Sequence, residues 1–184
     1  ITARKQAEQA LREKEHLLSE SQQIGRIGSW SWIPGTTPIY WSEETYRIYG
    51  VSPDSFVPDI QGLLGLLHPD DRAAMQAWIE ACASGHNPPE LEVRAILSSG
   101  EVRVLSGRGN LQRDAAGRAR MVGTVQDITE RQQAEQSLRT SEERLRTILE
   151  TEPECVKVLA ADGTLLEMNP AGLAMIEADT LAQV

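Results

Sequence analysis

The residues able to do chemistry in this sequence are few: three histidines, two cysteines, scattered glycines and one Asp-Ile-Thr run. His16, His68 and His86 are too widely spaced to form the His-Glu-x-x-His pair that holds zinc on one helix face. His16 lies in Lys14-Glu15-His16-Leu17-Leu18, which reads as a solvated helix. Cys82 falls on the apolar face of a helix, where a free cysteine is most often a small buried hydrophobe. Cys155 lies far from it, which fits a reducing compartment and excludes both a disulfide framework and a cysteine-built metal site. Gly107-Arg108-Gly109 and Gly117 lack the Gly-Lys-Ser/Thr of a phosphate loop and read as strand and turn glycines. Trp30, Trp32, Trp41 and Trp78 read as packing residues ahead of a stacking platform for a ligand. The expectation is a chain with no catalytic residue and no metal site.

Asp127-Ile128-Thr129 has a mechanical consequence. A strand must become a helix there, and an acid followed by a threonine can accept hydrogen bonds from the new helix's free amides while reaching the neighbouring strands. A change in sheet packing would then move the helix start. Asp127, Ile128 and Thr129 are therefore expected to transmit a signal.

The elements that hold this run show an internal repeat. Ile1-Thr2-Ala3-Arg4-Lys5-Gln6-Ala7-Glu8-Gln9-Ala10-Leu11-Arg12 returns as Ile128-Thr129-Glu130-Arg131-Gln132-Gln133-Ala134-Glu135-Gln136-Ser137-Leu138-Arg139, an offset of 127 with nine of twelve positions identical. The same offset places Ile39 on Leu166, Tyr46 on Leu173, Ile48 on Met175 and Tyr49 on Ile176, so the repeat unit is a helix plus a domain. Both helical segments are rich in Ala, Glu, Gln, Arg and Leu. A three-four stripe runs through Leu11 and Leu18 in the first and through Ala134, Leu138, Leu145 and Ile148 in the second, the pattern of a two-stranded coiled-coil seam. The alternative is an amphipathic helix packed on its own domain. An offset of 127 exceeds whole heptads by one residue, so the intervening domain must restore the phase.

Between the helices the period changes. Ser29 to Ile33 and Ile39 to Trp41 alternate as a hairpin around Pro34-Gly35-Thr36-Thr37-Pro38. Ser42 caps a helix that Gly50 closes, with Tyr46, Tyr49 and Ile48 on its apolar face. Leu63, Leu64, Leu66 and Leu67 form a short helix ending before His68-Pro69. Asp70 or Asp71 caps a longer one carrying Met75, Trp78, Ile79 and Cys82 on one face, stopped by Gly85. Three strands follow, Leu91 to Leu97, Val102 to Gln112 and Arg120 to Gln126, the last two joined by Asp114-Ala115-Ala116-Gly117. This order is an α+β plan: a five-stranded antiparallel sheet with helices on one face, flanked by long amphipathic helices.

The order and its motifs resemble a PAS domain. Gly28-Ser29-Trp30-Ser31-Trp32, Trp41-Ser42-Glu43-Glu44 leading to Tyr46-Arg47-Ile48-Tyr49-Gly50, His68-Pro69-Asp70-Asp71-Arg72, and Gly123 through Arg131 carry the likeness over roughly residues 25 to 131. It implies a signalling helix at 1–24, a complete PAS domain at 25–127, a linker helix at 128–152 and the truncated start of a second PAS domain at 153–184. Ile1-Thr2 looks like the tail of another Asp-Ile-Thr motif. The resemblance implies a tandem sensory protein of the two-component kind or a cyclic-dinucleotide enzyme, with the output domain outside this regulatory segment. No cofactor is implied. Haem-binding relatives carry their histidine on the long helix, where this sequence has Met75, Trp78 and Cys82, leaving His86 beside Asn87 as the remaining axial candidate. The Asn-Cys-Arg-Phe-Leu-Gln run of photoreactive flavin relatives is absent.

With 27 acidic against 18 basic residues and a net charge of −9, nucleic acid and anionic membrane are disfavoured as partners. Apolar stretches fall far short of a membrane span, so a cytoplasmic location is expected, with any anchor elsewhere in the parent protein. The partners expected are a second copy in a parallel homodimer, the adjacent PAS and output domains, and a small-molecule ligand. Trp41, Tyr49, Met75, Trp78, Ile79 and Val122 are the expected pocket or core. A ligand-free spacer would fill that core, whereas a cavity of several hundred cubic ångströms beneath the long helix would exclude a spacer.

Overall fold

The computed structural model describes residues 2–86, 88–113, 117–178 and 180, with the backbone alone at 2 and 3. The readings of Ile1 as a motif tail, of Asn87 beside His86, of Asp114-Ala115-Ala116 as a turn, and of Asp179 and residues 181–184 within the last segment lie outside the described residues. The chain divides into two compact units, residues 1–130 and 131–184.

The first unit opens with α1 (Thr2–Gly25), whose surface carries i,i+4 pairs such as Arg4 with Glu8 and His16 with Glu20. Five strands follow: β1 (Ile27–Trp32), β2 (Tyr40–Trp41), β3 (Leu91–Ile96), β4 (Val102–Arg113) and β5 (Ala119–Asp127). They form one antiparallel sheet in the order β2-β1-β5-β4-β3. The first long strand and the last therefore lie side by side at its centre. Helices α2 (Glu43–Tyr49), α3 (Ile60–Leu66) and α4 (Arg72–Ala83) complete the α+β layer arrangement.

Local chemistry explains these elements. Ser42 caps α2 by accepting from the Thr45 amide, and Gly50 ends it at φ 67°, a left-handed conformation suited to glycine. The buried face of α2 is Thr45, Ile48 and Tyr49 with Glu44 at its edge, and Tyr46 is only half-buried. Asp59 caps α3 by accepting from Gly62 N at 2.6 Å. Leu67 leaves the helix for extended backbone and bridges Ala95, so it packs as a core residue outside α3.

Neither aspartate caps α4, contrary to the sequence expectation. Pro69–Asp71 is a 3₁₀ turn in which His68 Nδ1 accepts from Asp70 N at 3.4 Å. Asp71 instead reaches β3, accepting from Arg94 N at 2.8 Å, Arg94 Nε at 2.9 Å and Arg94 Nη2 at 2.7 Å. The shared charge outcompetes the cap because it joins a bidentate guanidinium contact to a backbone amide on one carboxylate.

The long helix α5 (Thr129–Thr151) starts in the first unit at Thr129 and Glu130, and its remaining turns belong to the second. The second unit adds a hairpin of β6 (Lys157–Leu159) and β7 (Leu165–Met168) and the short α6 (Pro170–Met175), capped by Asn169.

Candidate functional site

Between the helices and the sheet lies an apolar cavity of about 50 Å³, whose lining includes Trp30, Trp41, Tyr49, Met75, Trp78 and Ile79. Trp41 stacks on Tyr49 with ring centres 4.8 Å apart and is edged by Tyr46 and Phe56. Trp30 meets Trp78 edge-on at 6.1 Å, and the Trp78 indole donates to Pro89 O at 2.9 Å. Space for the indoles comes from two glycines facing each other on β4 and β5. A methyl group at Gly109 would sit 2.7 Å from Trp30 and 2.8 Å from Trp78, and one at Gly123 would sit 2.7 Å from Trp30 Cε2. The volume exceeds what one water needs and falls well below the roughly 300 Å³ at which pockets for drug-sized ligands begin. Burial raises the ionisation range of both the Tyr49 hydroxyl and the Cys82 thiol, which keeps them neutral at pH 7.

Val122 is the one residue of the expected set that does not line this space. It is half-buried on the other side of β5, paired with Ser31 and Asn110, while Met121 and Val125 face inward. Strand alternation reverses every side chain when the register is taken one residue off.

The second feature is the junction at which β5 becomes α5. Asp127 Oδ1 accepts from Thr129 N at 3.0 Å and from the Thr129 hydroxyl at 2.6 Å. The same hydroxyl oxygen accepts from Val104 N of β4 at 2.9 Å, and buried Ile128 donates its amide to Val104 O at 2.9 Å. The helix start is thus hydrogen-bonded to the sheet through all three residues. Arg103 extends the contact: its Nε lies 3.6 Å from Asp127 Oδ2, and its Nη1 donates to Arg47 O and Ile48 O at the end of α2. Arg26, between α1 and β1, pairs with Glu130 at 2.8 Å, and its carbonyl accepts from Asp127 N. Arg103 and Arg26 are not singled out in the sequence, where Gly109 reads only as a strand glycine and Gly123 only as the start of the closing motif, with nothing to pair them. The glycines had a signal, being glycine within strands, whereas Arg103 meets its partners only through the fold.

The seam residues Leu11, Leu18, Ala134, Leu138, Leu145 and Ile148 are all exposed. His16 and His86 are also exposed, and among the described residues no group of three His, Cys, Asp or Glu side chains is placed to hold a metal. No helix among the described residues is long and apolar enough to cross a membrane.

A five-stranded antiparallel sheet with helices over an apolar centre, and an Asp-Ile-Thr junction at its last strand, defines a sensory domain of the PAS class. The profile of the PAS fold family matches residues 38–125, and the chain belongs to this family. Over 153 residues it is 31% identical to the sensor protein FixL of Bradyrhizobium diazoefficiens, covering 82% of this chain and 30% of that protein. It is 25% identical over 171 residues to an Escherichia coli protein named "Probable diguanylate cyclase DgcE", covering 92% of this chain and 15% of that protein. The chain thus spans less than a third of the curated relatives it matches. A solved sensory box histidine kinase/response regulator from Burkholderia thailandensis superposes with a TM-score of 0.54 at 31% identity, covering 71% of this chain and 98% of that one. The chain carries a PAS sensory domain of the kind found in sensor and cyclase proteins, where that domain is regulatory.

Proposed function

We propose that this chain is a sensory and signal-transmission module that forms a parallel homodimer through its helix seams and relays domain strain into α5. The carrying observation is the Thr129 hydroxyl, which accepts from Val104 N in the sheet and donates to Asp127 at the helix start. A displacement of β4 against β5 moves that hydroxyl, and with it the first turn of α5. Leu138, Leu145 and Ile148 stay exposed in one chain, which supports pairing with a second copy over packing on the chain's own domain. The output would be a kinase or cyclic-dinucleotide domain of the same polypeptide, read in the cytoplasm, with no nucleic acid and no direct membrane contact.

Native mass spectrometry of the chain and of a Leu138→Asp/Leu145→Asp variant tests this. The reading expects a dimer for the first and a monomer for the second, and equal masses for both would contradict the seam. A second reading, a ligand-free dimerising spacer, is favoured by the small cavity of about 50 Å³. A discrete small mass retained by the dimer would exclude the spacer and give the ligand's weight.

A further inference from the structure

The hairpin and helix of the second unit reproduce the cap bonds and the first two strand pairs of the opening of the first at an offset of 127, and the second hairpin adds a Leu159–Leu165 pair. The Trp30–Trp41 and Ser31–Tyr40 pairs of β1 and β2 correspond to Lys157–Met168 and Val158–Glu167 of β6 and β7. Ser42 N donates to Ser29 O at 2.8 Å and Asn169 N to Val156 O at 2.9 Å. Ser42 Oγ accepts from Ser29 N, and Asn169 Oδ1 from Val156 N, so each cap ties its helix to its strand in the same way. The helices end alike, Gly50 at φ 67° and Glu177 at φ 56°.

One slot between strand and helix is filled from opposite sides. In the first unit Gly28 leaves room for the Thr45 side chain, and any Cβ at Gly28 would overlap it. In the second the corresponding residues are Cys155 and Gly172, and a Cβ at Gly172 would lie 2.8 Å from Cys155 Sγ. The pair has exchanged its large and small members, so that in each unit a side chain from one element fills the space left by a glycine on the other.

What differs is the covering. Ile39, Ile48 and Tyr49 are 5%, 2% and 4% exposed, whereas their counterparts Leu166, Met175 and Ile176 are 56%, 65% and 49% exposed. The outer edge of β1 is occupied by β5, whereas β6 pairs only with β7 among the described residues. From this we infer that residues 153–180 open a second domain of the same fold. Their uncovered face is the seat for that domain's own later elements, with a strand equivalent to β5 docking antiparallel along β6. Leu166, Met175 and Ile176 thus have counterparts that a complete domain of this fold buries, which favours this occupant over an unrelated protein.

A lengthened chain tests the inference by repeating Pro58–Asp127 after Val184, in phase with the offset, and measuring the rate at which a thiol reagent modifies Cys155. Cys155 is exposed and Cys82 is buried, so Cys82 serves as the internal reference. The inference expects rapid modification of Cys155 in the 184-residue chain and at least roughly tenfold slower modification in the lengthened one, at the level of the buried reference. Unchanged reactivity in a lengthened chain whose added segment is folded would overturn it. So would slowing in the 184-residue chain that grows with concentration, which makes a second copy the occupant.

If the lengthened chain does not fold, the exchanged pair supplies the readout in the 184-residue chain. Cys155→Gly/Gly172→Thr should restore the hairpin's amide protection that Gly172→Thr alone removes. Equal protection in the single and double variants would remove the correspondence on which the second domain rests.

Discussion

The amide of Val104 donates to the hydroxyl of Thr129 at 2.9 Å, in the place along β4 where a continuing β5 would have offered a backbone carbonyl. The strand is ended by a side chain that imitates it. Because the same hydroxyl donates to Asp127, the sheet and the helix start share one hydrogen-bonded group.

Thr129→Val keeps the shape of the side chain and removes both bonds, leaving a half-buried amide and the Asp127 carboxylate each short of a partner. A loss of about 1–2 kcal/mol in urea unfolding is expected. Hydrogen exchange should quicken in the first turn of α5 and at Val104. Thr129→Ser should retain most of the protection, and equal exchange in both variants would show that the hydroxyl does not hold the junction.

Gly123→Ala places a methyl group against the Trp30 indole and the Arg108 carbonyl, a backbone atom that cannot move aside cheaply. Overpacking of this kind costs about 1–3 kcal/mol. The urea midpoint should fall, and Trp30→Leu in the same chain should return part of the loss. Gly117→Ala, which meets no neighbouring atom but adopts φ 78°, should cost stability through backbone strain alone and show no such rescue.

The Arg94 guanidinium and amide hold the Asp71 carboxyl at about 2, below its usual 3.8. Asp71 therefore binds its proton more weakly in the folded state than in the unfolded one. Its contribution to stability is complete above about pH 4 and is lost as pH falls from there towards about 2. Asp71→Asn should lower stability at pH 7 and flatten the stability profile between those limits. A parallel acid limb in the two proteins would mean that the pair does not stabilise the fold.

Much of this was legible in the chain because local chemistry decided it. The capping serine before Glu43-Glu44, the closing Gly50 and the alternation of Trp30 and Trp32 predict the elements that form. The Asp127-Ile128-Thr129 junction could likewise be anticipated, since a strand-to-helix change leaves free amides that an acid and a threonine can satisfy. Elements set by tertiary competition were not legible. Asp71 sits where a cap belongs and is taken by Arg94, 23 residues away. Val122 and Met121 are equally apolar, and only the pairing of β5 with β1 decides which faces inward. Arg103 reaches Arg47 O from 56 residues away, a proximity that no local pattern encodes.

The relay itself is tested most directly by a chimaera that joins residues 1–152 to a reporter kinase and reads its phosphorylation rate. Met75→Trp, which crowds the cavity, should shift that rate in the Thr129 background and in Thr129→Ser. The shift should vanish in Thr129→Val, because the sheet no longer holds the helix start. A shift of the same size with and without the hydroxyl, in chimaeras that fold equally well, would contradict the coupling of β4 to α5 through Thr129.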